Sequence, residues 1–339
     1  MIVVNDFFKR YKEAVSNQME LVKNIYDCKI ITATRFMKQK AYQLDDRKDN
    51  IFIYTPFLYH IVLFFNMFSK NKDIHIFEEE PQFEKRFLFN TFNKNVYVSM
   101  YREPFKKYAD HLKKYKNLKA VYVEMEEHKQ KLIDYGLDKN IIHVTYTPAK
   151  IERKANIKKY NPKHVNLLFA SWNNKEGNPL LERGLIYLLE LLEINKNLYL
   201  TILLRDNDTK EYLNMINKKK LEKRVKLLDI KEEELVREFD KSDFVVFPIQ
   251  KKITKDIPNS LIDGISRGKP VLISTIFGLA KIIKDANAGI VIEPNTKPFK
   301  FNIDEKKYYE LSKNAYELSE KYNGKNYQKV IIDNYRKVK

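Results

Sequence analysis

Short apolar runs rich in isoleucine, valine and phenylalanine recur along this chain, and longer segments of helical period separate them. That alternation is the pattern of a parallel sheet with crossover helices, so the fold class expected is α/β. In the first part, strands are predicted near Ile2–Val4, Lys29–Thr32, Ile51–Tyr54, Ile74–Phe77, Val96–Ser99, Ala120–Val123 and Ile141–Val144. Helices fill the gaps, Phe7–Tyr26 among them. After the polar, basic stretch Lys150–Lys163 a second series begins, with strands at Val165–Ala170, Leu198–Leu204, Val225–Leu228, Phe244–Phe247, Val271–Ile273 and Ile290–Ile292. The stretch is read as a domain boundary. The last segment, from Glu305 to Tyr322, again has helical period, and a return to the first domain is one expectation for it.

At 339 residues the chain exceeds what one compact core usually supports, which agrees with two domains. A single cysteine, Cys28, excludes an internal disulfide and a cysteine-built zinc site and suits a reducing compartment. Met1–Val4 runs into Asn5-Asp6 without a basic leader, so no signal peptide is expected and a cytoplasmic location follows. Ile51–Phe68 is apolar but is divided by Pro56, and a buried strand followed by a buried helix accounts for it better than a membrane span. The formal charge of +18 suits nucleic acid, an anionic membrane surface, phosphorylated substrates, or a lysine-rich genome with no functional message.

One ordered set of pieces stands out between Ser242 and Pro294. Asp243 precedes a strand ending in Phe247-Pro248, followed by Pro258-Asn259-Ser260-Leu261 with an acid at Asp263; then come Gly268-Lys269-Pro270-Val271, Gly278, and Gly289 before Pro294. Pro258 can start a helix, because its missing N–H would be unpaired there. The N–H groups of Asn259 to Leu261 then form an anion site fit for a diphosphate. Asp263, one turn further, is placed to accept hydrogen bonds from ribose hydroxyls. Each piece alone is weak, and five in register are specific.

The set resembles the C-terminal domain of the large retaining glycosyltransferase family of the GT-B fold, the group 1 or family 4 type. The resemblance implies two Rossmann-like domains facing across a cleft: an acceptor-binding domain over 1–150 and a nucleotide-sugar-binding domain over 151–304, followed by a C-terminal helix over 305–339 for which a return to the first domain is one expectation. It is clearest over 165–294. The family carries a basic residue in the loop after this domain's first strand, and Lys175 is the candidate, with Arg205 as a second phosphate-gripping cation. Trp172 stands roughly where the family has an arginine, and Trp172, Ile230 and Lys255 join Pro258, Asn259, Ser260, Leu261 and Asp263 as the donor-binding residues implied. In the first domain Glu79 and Glu80 resemble an acidic turn that orients acceptor hydroxyls or the transferred sugar, while His75, on a strand, is read as packed.

Departures from the family are specific. The first of its two glutamates is Lys255 here, and a second family glutamate, three residues after Gly278, is Lys281, which points to a donor sugar bearing an acid or to lost activity. The glycine-rich turn of the first domain is absent, Asn5-Asp6 standing in its place. Asp206-Asn207-Asp208 is read as a polar turn rather than a manganese site.

The function implied is transfer of a sugar from a nucleotide-sugar donor, of UDP or GDP type, to a glycan or lipid-linked acceptor, with retention and without a metal or further cofactor. No nucleic-acid motif is present, so none is expected as a partner. The basic, aromatic segment Tyr101–Lys119 suggests an anionic membrane surface and peripheral attachment to the inner face of a membrane. Two other readings remain open here: a sugar-nucleotide epimerase or hydrolase of the same fold, and a GT-B-like protein that binds nucleotide-sugars or polyanions without catalysis.

Overall fold

The structure is a computed structural model and describes residues 1–5, 14–26, 28–33, 50–78, 82–170, 183–204, 210–229, 232–251 and 257–336. It divides into two compact units, the first made of residues 1–148 and 324–339, the second of 149–323.

The first unit is built on seven parallel strands: β1 (Ile2–Asn5), β2 (Lys29–Ala33), β3 (Ile51–Tyr54), β4 (Asp73–Glu78), β5 (Asn95–Met100), β6 (Leu118–Val123) and β7 (Ile142–Val144), in the order β3-β2-β1-β4-β5-β6-β7. Register pairs Val3 with Ile30 and His75, and Val98 with Ile76 and Val121. Because successive side chains point to opposite faces, the strands feed two cores. Ile2, Val4, Ile74 and Ile76 lie on one, covered by α2 (Pro56–Met67), α3 (Phe83–Thr91), α4 (Lys106–Leu112) and α5 (Glu126–Asp134). Val3, Ile30, Phe77 and Tyr97 lie on the other, under α1 (Ala14–Tyr26) and the final helix.

The expectation of a buried helix after β3 is corrected by α2. Tyr59, Leu63 and Met67 recur every fourth residue and are buried against the sheet, but the opposite side of α2 is also apolar and stands exposed, Phe57 at 74 % and Phe65 at 66 %. Periodicity reveals an apolar stripe, and a helix with two of them can bury only one against a single sheet.

The second unit has six parallel strands: β8 (Val165–Ala170), β9 (Leu198–Leu204), β10 (Val225–Asp229), β11 (Phe244–Phe247), β12 (Val271–Ser274) and β13 (Gly289–Ile292), in the order β10-β9-β8-β11-β12-β13. Its helices are α6 (Leu185–Ile194), α7 (Lys210–Lys218), α8 (Glu232–Lys241), α9 (Asn259–Ser266), α10 (Gly278–Asp285) and α11 (Glu305–Leu318). Gly264 lets α9 pack closely on the sheet: a Cβ there would lie 2.6 Å from Val245 Cγ2.

Buried charges tie the amino edge of this sheet. Asp243 accepts from the Asn166 backbone N–H at 2.6 Å and pairs with Lys158 at 3.1 Å, joining the starts of β8 and β11. Arg267 grips Asp240 with two parallel bonds of 2.8 Å. Burial alone would raise the Asp240 pKa, but hydrogen bonds from Arg267 and Asn156 hold it below the usual value. Lys269 is fully buried and donates to the carbonyls of Asn156 and Asp240, at 2.7 and 3.1 Å.

The chain then returns to the first unit. A 3-10 turn over Ser319–Tyr322 leads to α12 (Gly324–Arg336), whose Tyr327, Ile331 and Tyr335 are buried on the α1 side of the first sheet. Tyr335 stacks on Tyr97 with ring centroids 4.1 Å apart. The segment from 305 is therefore two helices: α11 belongs to the second unit and α12 to the first.

Candidate functional site

In an open parallel sheet, ligands bind beyond the carboxyl ends of the strands where the strand order reverses. In the second unit that point lies between β8 and β11. The segment following β11 supplies α9, so the start of this helix stands at the same edge.

Pro258 occupies the N-cap position, with φ −69° and ψ 116°, one residue ahead of the helix it was expected to start. It has no capping side chain, and its carbonyl accepts from the Leu261 N–H at 3.0 Å and the Ile262 N–H at 3.4 Å. The Leu261 amide, expected among the anion-binding group, thus closes the first turn. Asn259 and Ser260, the first two residues of the helix, are half-buried. A helix start of this kind bears partial positive charge and favours an anion by about 0.3–1 kcal/mol, more where it is partly buried.

Asp263 is 4 % exposed, and its Oδ1 accepts from the backbone N–H of Lys150 at 2.8 Å and of Ile151 at 3.4 Å. The carboxylate therefore anchors the first residues of the unit to α9. That engagement is invisible to local sequence reading, because the partner is a backbone amide 113 residues away.

Gly184, which sequence reasoning passed over, sits at the same edge. It precedes α6 with φ +94°, and a Cβ would lie 2.1 Å from the Pro248 carbonyl oxygen just past β11. A glycine immediately before an apolar helical run was the available signal. Lys281 is exposed on α10, whose own start also follows the carboxyl end of a strand, β12. Lys175, Arg205, Trp172, Ile230 and Lys255, together with Asp206-Asn207-Asp208, lie outside the described residues.

In the first unit the corresponding switch point lies between β1 and β4. Asn5, the last residue of β1, donates from Nδ2 to the Phe77 carbonyl at 3.0 Å. Glu79 and Glu80 lie outside the described residues; the acid described there is Glu78, the last residue of β4, which is buried and accepts from the Tyr108 hydroxyl at 3.0 Å. Burial and the Glu78 charge together push the Tyr108 pKa well up, so it stays a donor. Glu124, just past β6, is likewise buried and accepts from the Thr147 hydroxyl. Within the acidic run Glu78-Glu79-Glu80 the sequence reading singles out the last two, and it passes over Glu124, which carries no spacing signature. His75 is fully buried, stacked 4.8 Å from Phe77, with Nε2 2.8 Å from the Ser99 hydroxyl. Burial lowers its pKa to about 3, so it is a neutral packed ring at physiological pH.

A cavity of about 800 Å³ lined by Lys158, Asn166, Val236, Arg237, Asp240 and Lys241 lies at the amino edge of the second sheet. Asn166 is near the start of β8 and Asp240 and Lys241 end α8, so this hollow is away from the switch point and takes no part in the site.

Residues 177–320 match the family described as glycosyl transferases group 1. Several solved structures share the fold over nearly the whole chain. Anabaena Alr3699/HepE in complex with UDP is 12 % identical, with 99 % of both chains covered and a TM-score of 0.73. A glycosyltransferase from Rickettsia africae ESF-5 is 15 % identical, with 99 % of this chain and 98 % of that one covered and a TM-score of 0.74. The apo form of the lipopolysaccharide outer core galactosyltransferase WaaB is 14 % identical, with 100 % and 99 % covered and a TM-score of 0.69. The curated protein sequences give no match. The fold is GT-B.

Proposed function

We propose that this chain is a glycosyltransferase that moves a sugar from a nucleotide-sugar donor to a glycan or lipid-linked acceptor. The observation that carries the reading is the start of α9 at the switch point of the second sheet, inside the segment matched to group 1 glycosyl transferases. A uridine diphosphate donor is favoured, since UDP and UDP-glucose are the ligands of the Anabaena HepE structures.

In this reading the diphosphate lies against the amides of Asn259 and Ser260, with Lys175 and Arg205 as its cations and Asp263 toward the ribose. Trp172, Ile230 and Lys255 complete the donor side, and Glu79 and Glu80 orient the acceptor or the transferred sugar. Transfer with retention breaks the bond from the anomeric carbon to the phosphate oxygen and forms one to the acceptor oxygen on the same face. The acceptor's hydroxyl proton passes to the departing phosphate. Fixed positive potential stabilises the charge that develops on the leaving group, so the step is assigned no metal. Lys255 and Lys281, where the family has acids, favour a donor sugar with a carboxylate or phosphate; they equally motivate the second reading, a non-catalytic nucleotide-sugar binder.

The test is calorimetric binding of UDP and GDP followed by release of UDP from a panel of UDP-sugars. Expected are preferential binding of UDP and turnover of one donor, with turnover falling at least a hundredfold in the Lys175→Ala, Arg205→Ala double variant. Donor cleavage unaffected by that double variant would refute the assignment of the cations. Binding without turnover of any donor would favour the second reading.

A further inference from the structure

Phe57, Leu58, Ile61, Phe64, Phe65 and Phe68 form an exposed stripe along one side of α2 and its C-cap, opposite the buried Tyr59, Leu63 and Met67. The neighbouring α3 adds Phe83 and Phe87, both more than 60 % exposed. Phe92 links the two helices, its ring 5.9 Å from Phe64 and 4.9 Å from Phe68. Exposed aromatic rings gathered on two neighbouring helices mark a surface that meets something apolar.

The charges around it say what. Pro56–Phe68 contains no charged residue, and the stripe runs directly into Lys70 and Lys72, both exposed. On α3 the half-buried Arg86 guanidinium lies 5.0 Å from the Phe83 ring centre and 3.2 Å from His111 Nδ1, with Glu84 as the acid of that helix, so the exposed border cations are Lys70 and Lys72. Aromatic rings bordered by cations match the interfacial layer of a bilayer bearing anionic lipid, where rings enter the acyl boundary and cations meet headgroups. A second copy fits less well, since each chain carries +18 and would bring its lysine border with it. Lying flat is the geometry available: α2 has 12 residues, about 18 Å of helix, and no described helix is long and apolar enough to cross a membrane.

We propose that the α2–α3 face of the first unit seats on a membrane surface containing anionic lipid. This moves the contact from where the sequence suggested it. In the segment Tyr101–Lys119 only Lys106–Leu112 is helical, Lys119 belongs to β6, and Lys106 and Lys113 both bond Asp110. Both α2 and α3 begin at the carboxyl edge of the first sheet, after β3 and β4, so the bilayer would lie beside the edge where that sheet binds ligands. The proposal extends the reading of a lipid-linked acceptor, but its test contains no donor, so either can fail without the other.

The full chain is floated with phosphatidylcholine vesicles, with and without phosphatidylglycerol, at physiological salt. Expected is recovery with the phosphatidylglycerol vesicles, and loss of about a hundredfold in partitioning for the Phe65→Ser, Phe68→Ser variant, from roughly tenfold per phenylalanine. Because the Phe68 ring also touches Phe92, the melting temperature of that variant is measured alongside, and Phe57→Ser, at the more exposed position, should weaken flotation with the fold intact. Lys70→Gln with Lys72→Gln should weaken binding to the anionic vesicles only. Failure of the parent chain to float, or equal flotation of the phenylalanine variant, overturns the proposal. So does a dimer in light scattering that the same variant dissociates, which would give the face to a second copy.

Discussion

Replacing Asp263 separates the anchoring bond it makes in the structure from the ribose contact proposed for it. Its Oδ1 accepts from the Lys150 N–H at 2.8 Å with the side chain almost wholly buried. The Ile151 contact, at 3.4 Å, is long and adds little. A hydrogen bond to a charged group contributes about 1.5–3 kcal/mol, and an unpaired buried amide costs about 1–3 kcal/mol. The two overlap, so Asp263→Ala is expected to destabilise the second unit by about 2–4 kcal/mol. For a domain of this size each kcal/mol is worth about 2–4 °C, so the melting temperature should fall by roughly 5–15 °C. Asp263→Asn keeps an acceptor oxygen in place and should lose about 1 kcal/mol. Hydrogen exchange reports the anchor directly: peptides covering Lys150 and Ile151 should exchange faster in the alanine variant and near the parent rate in the asparagine one. UDP affinity of the asparagine variant then isolates the ribose role, with a loss of about tenfold expected. An alanine variant that melts within a degree of the parent, with unchanged exchange at Lys150, would refute the anchoring role. An asparagine variant with full UDP affinity would remove the ribose role.

Lys269 should make stability rise with pH. Burial, with Lys158 nearby, lowers its pKa from 10.5 to about 8, against the opposing pull of Asp240 and Asp243. The unfolded lysine holds its proton to about pH 10, so the folded state bears a penalty of about 3 kcal/mol below pH 8 that is relieved between pH 8 and 10.5. Lys269→Met should abolish that rise in urea titrations between pH 7 and 9.5, and equal slopes would overturn the assignment. Gly264→Ala should cost about 1–3 kcal/mol by urea unfolding, because its Cβ would press on Val245 Cγ2 at 2.6 Å. Adding Val245→Ala should make the cost of Gly264→Ala smaller, and strict additivity of the two would count against that contact.

The strands were legible because both faces of each sheet are covered. Runs such as Leu167–Ala170 and Phe244–Phe247 then carry apolar residues without alternation, and all thirteen strands described fall on the apolar runs read from the sequence, within a residue or two. Their order was not legible, since nothing local to β4 says that it lies beside β1 rather than β3. On α2 the periodicity was seen and its meaning missed: Tyr59, Leu63 and Met67 look no more apolar than the phenylalanines on the exposed side. At the site, the helix after Pro258 was readable from the ordered pieces around it. Asp263 was readable as an acid near a helix start, but its bond to Lys150 was not, because a backbone amide has no side-chain signature. Lys269 was noticed as part of a motif, while its burial against two carbonyls depends on where α8 ends.

The return of α12 to the first unit sets an order of events during synthesis. The second unit is one continuous stretch, whereas the first draws its last helix from residues 324–336. A ribosome that has finished β7 must add the whole second unit, roughly 10–35 s of elongation, before Tyr327, Ile331 and Tyr335 emerge. Until then Tyr97 and the rest of the α1 face lack their cover. The part made first is thus the part completed last, and a chain that stops short of α12 would leave the older unit, not the newer one, exposed to chaperones and proteases.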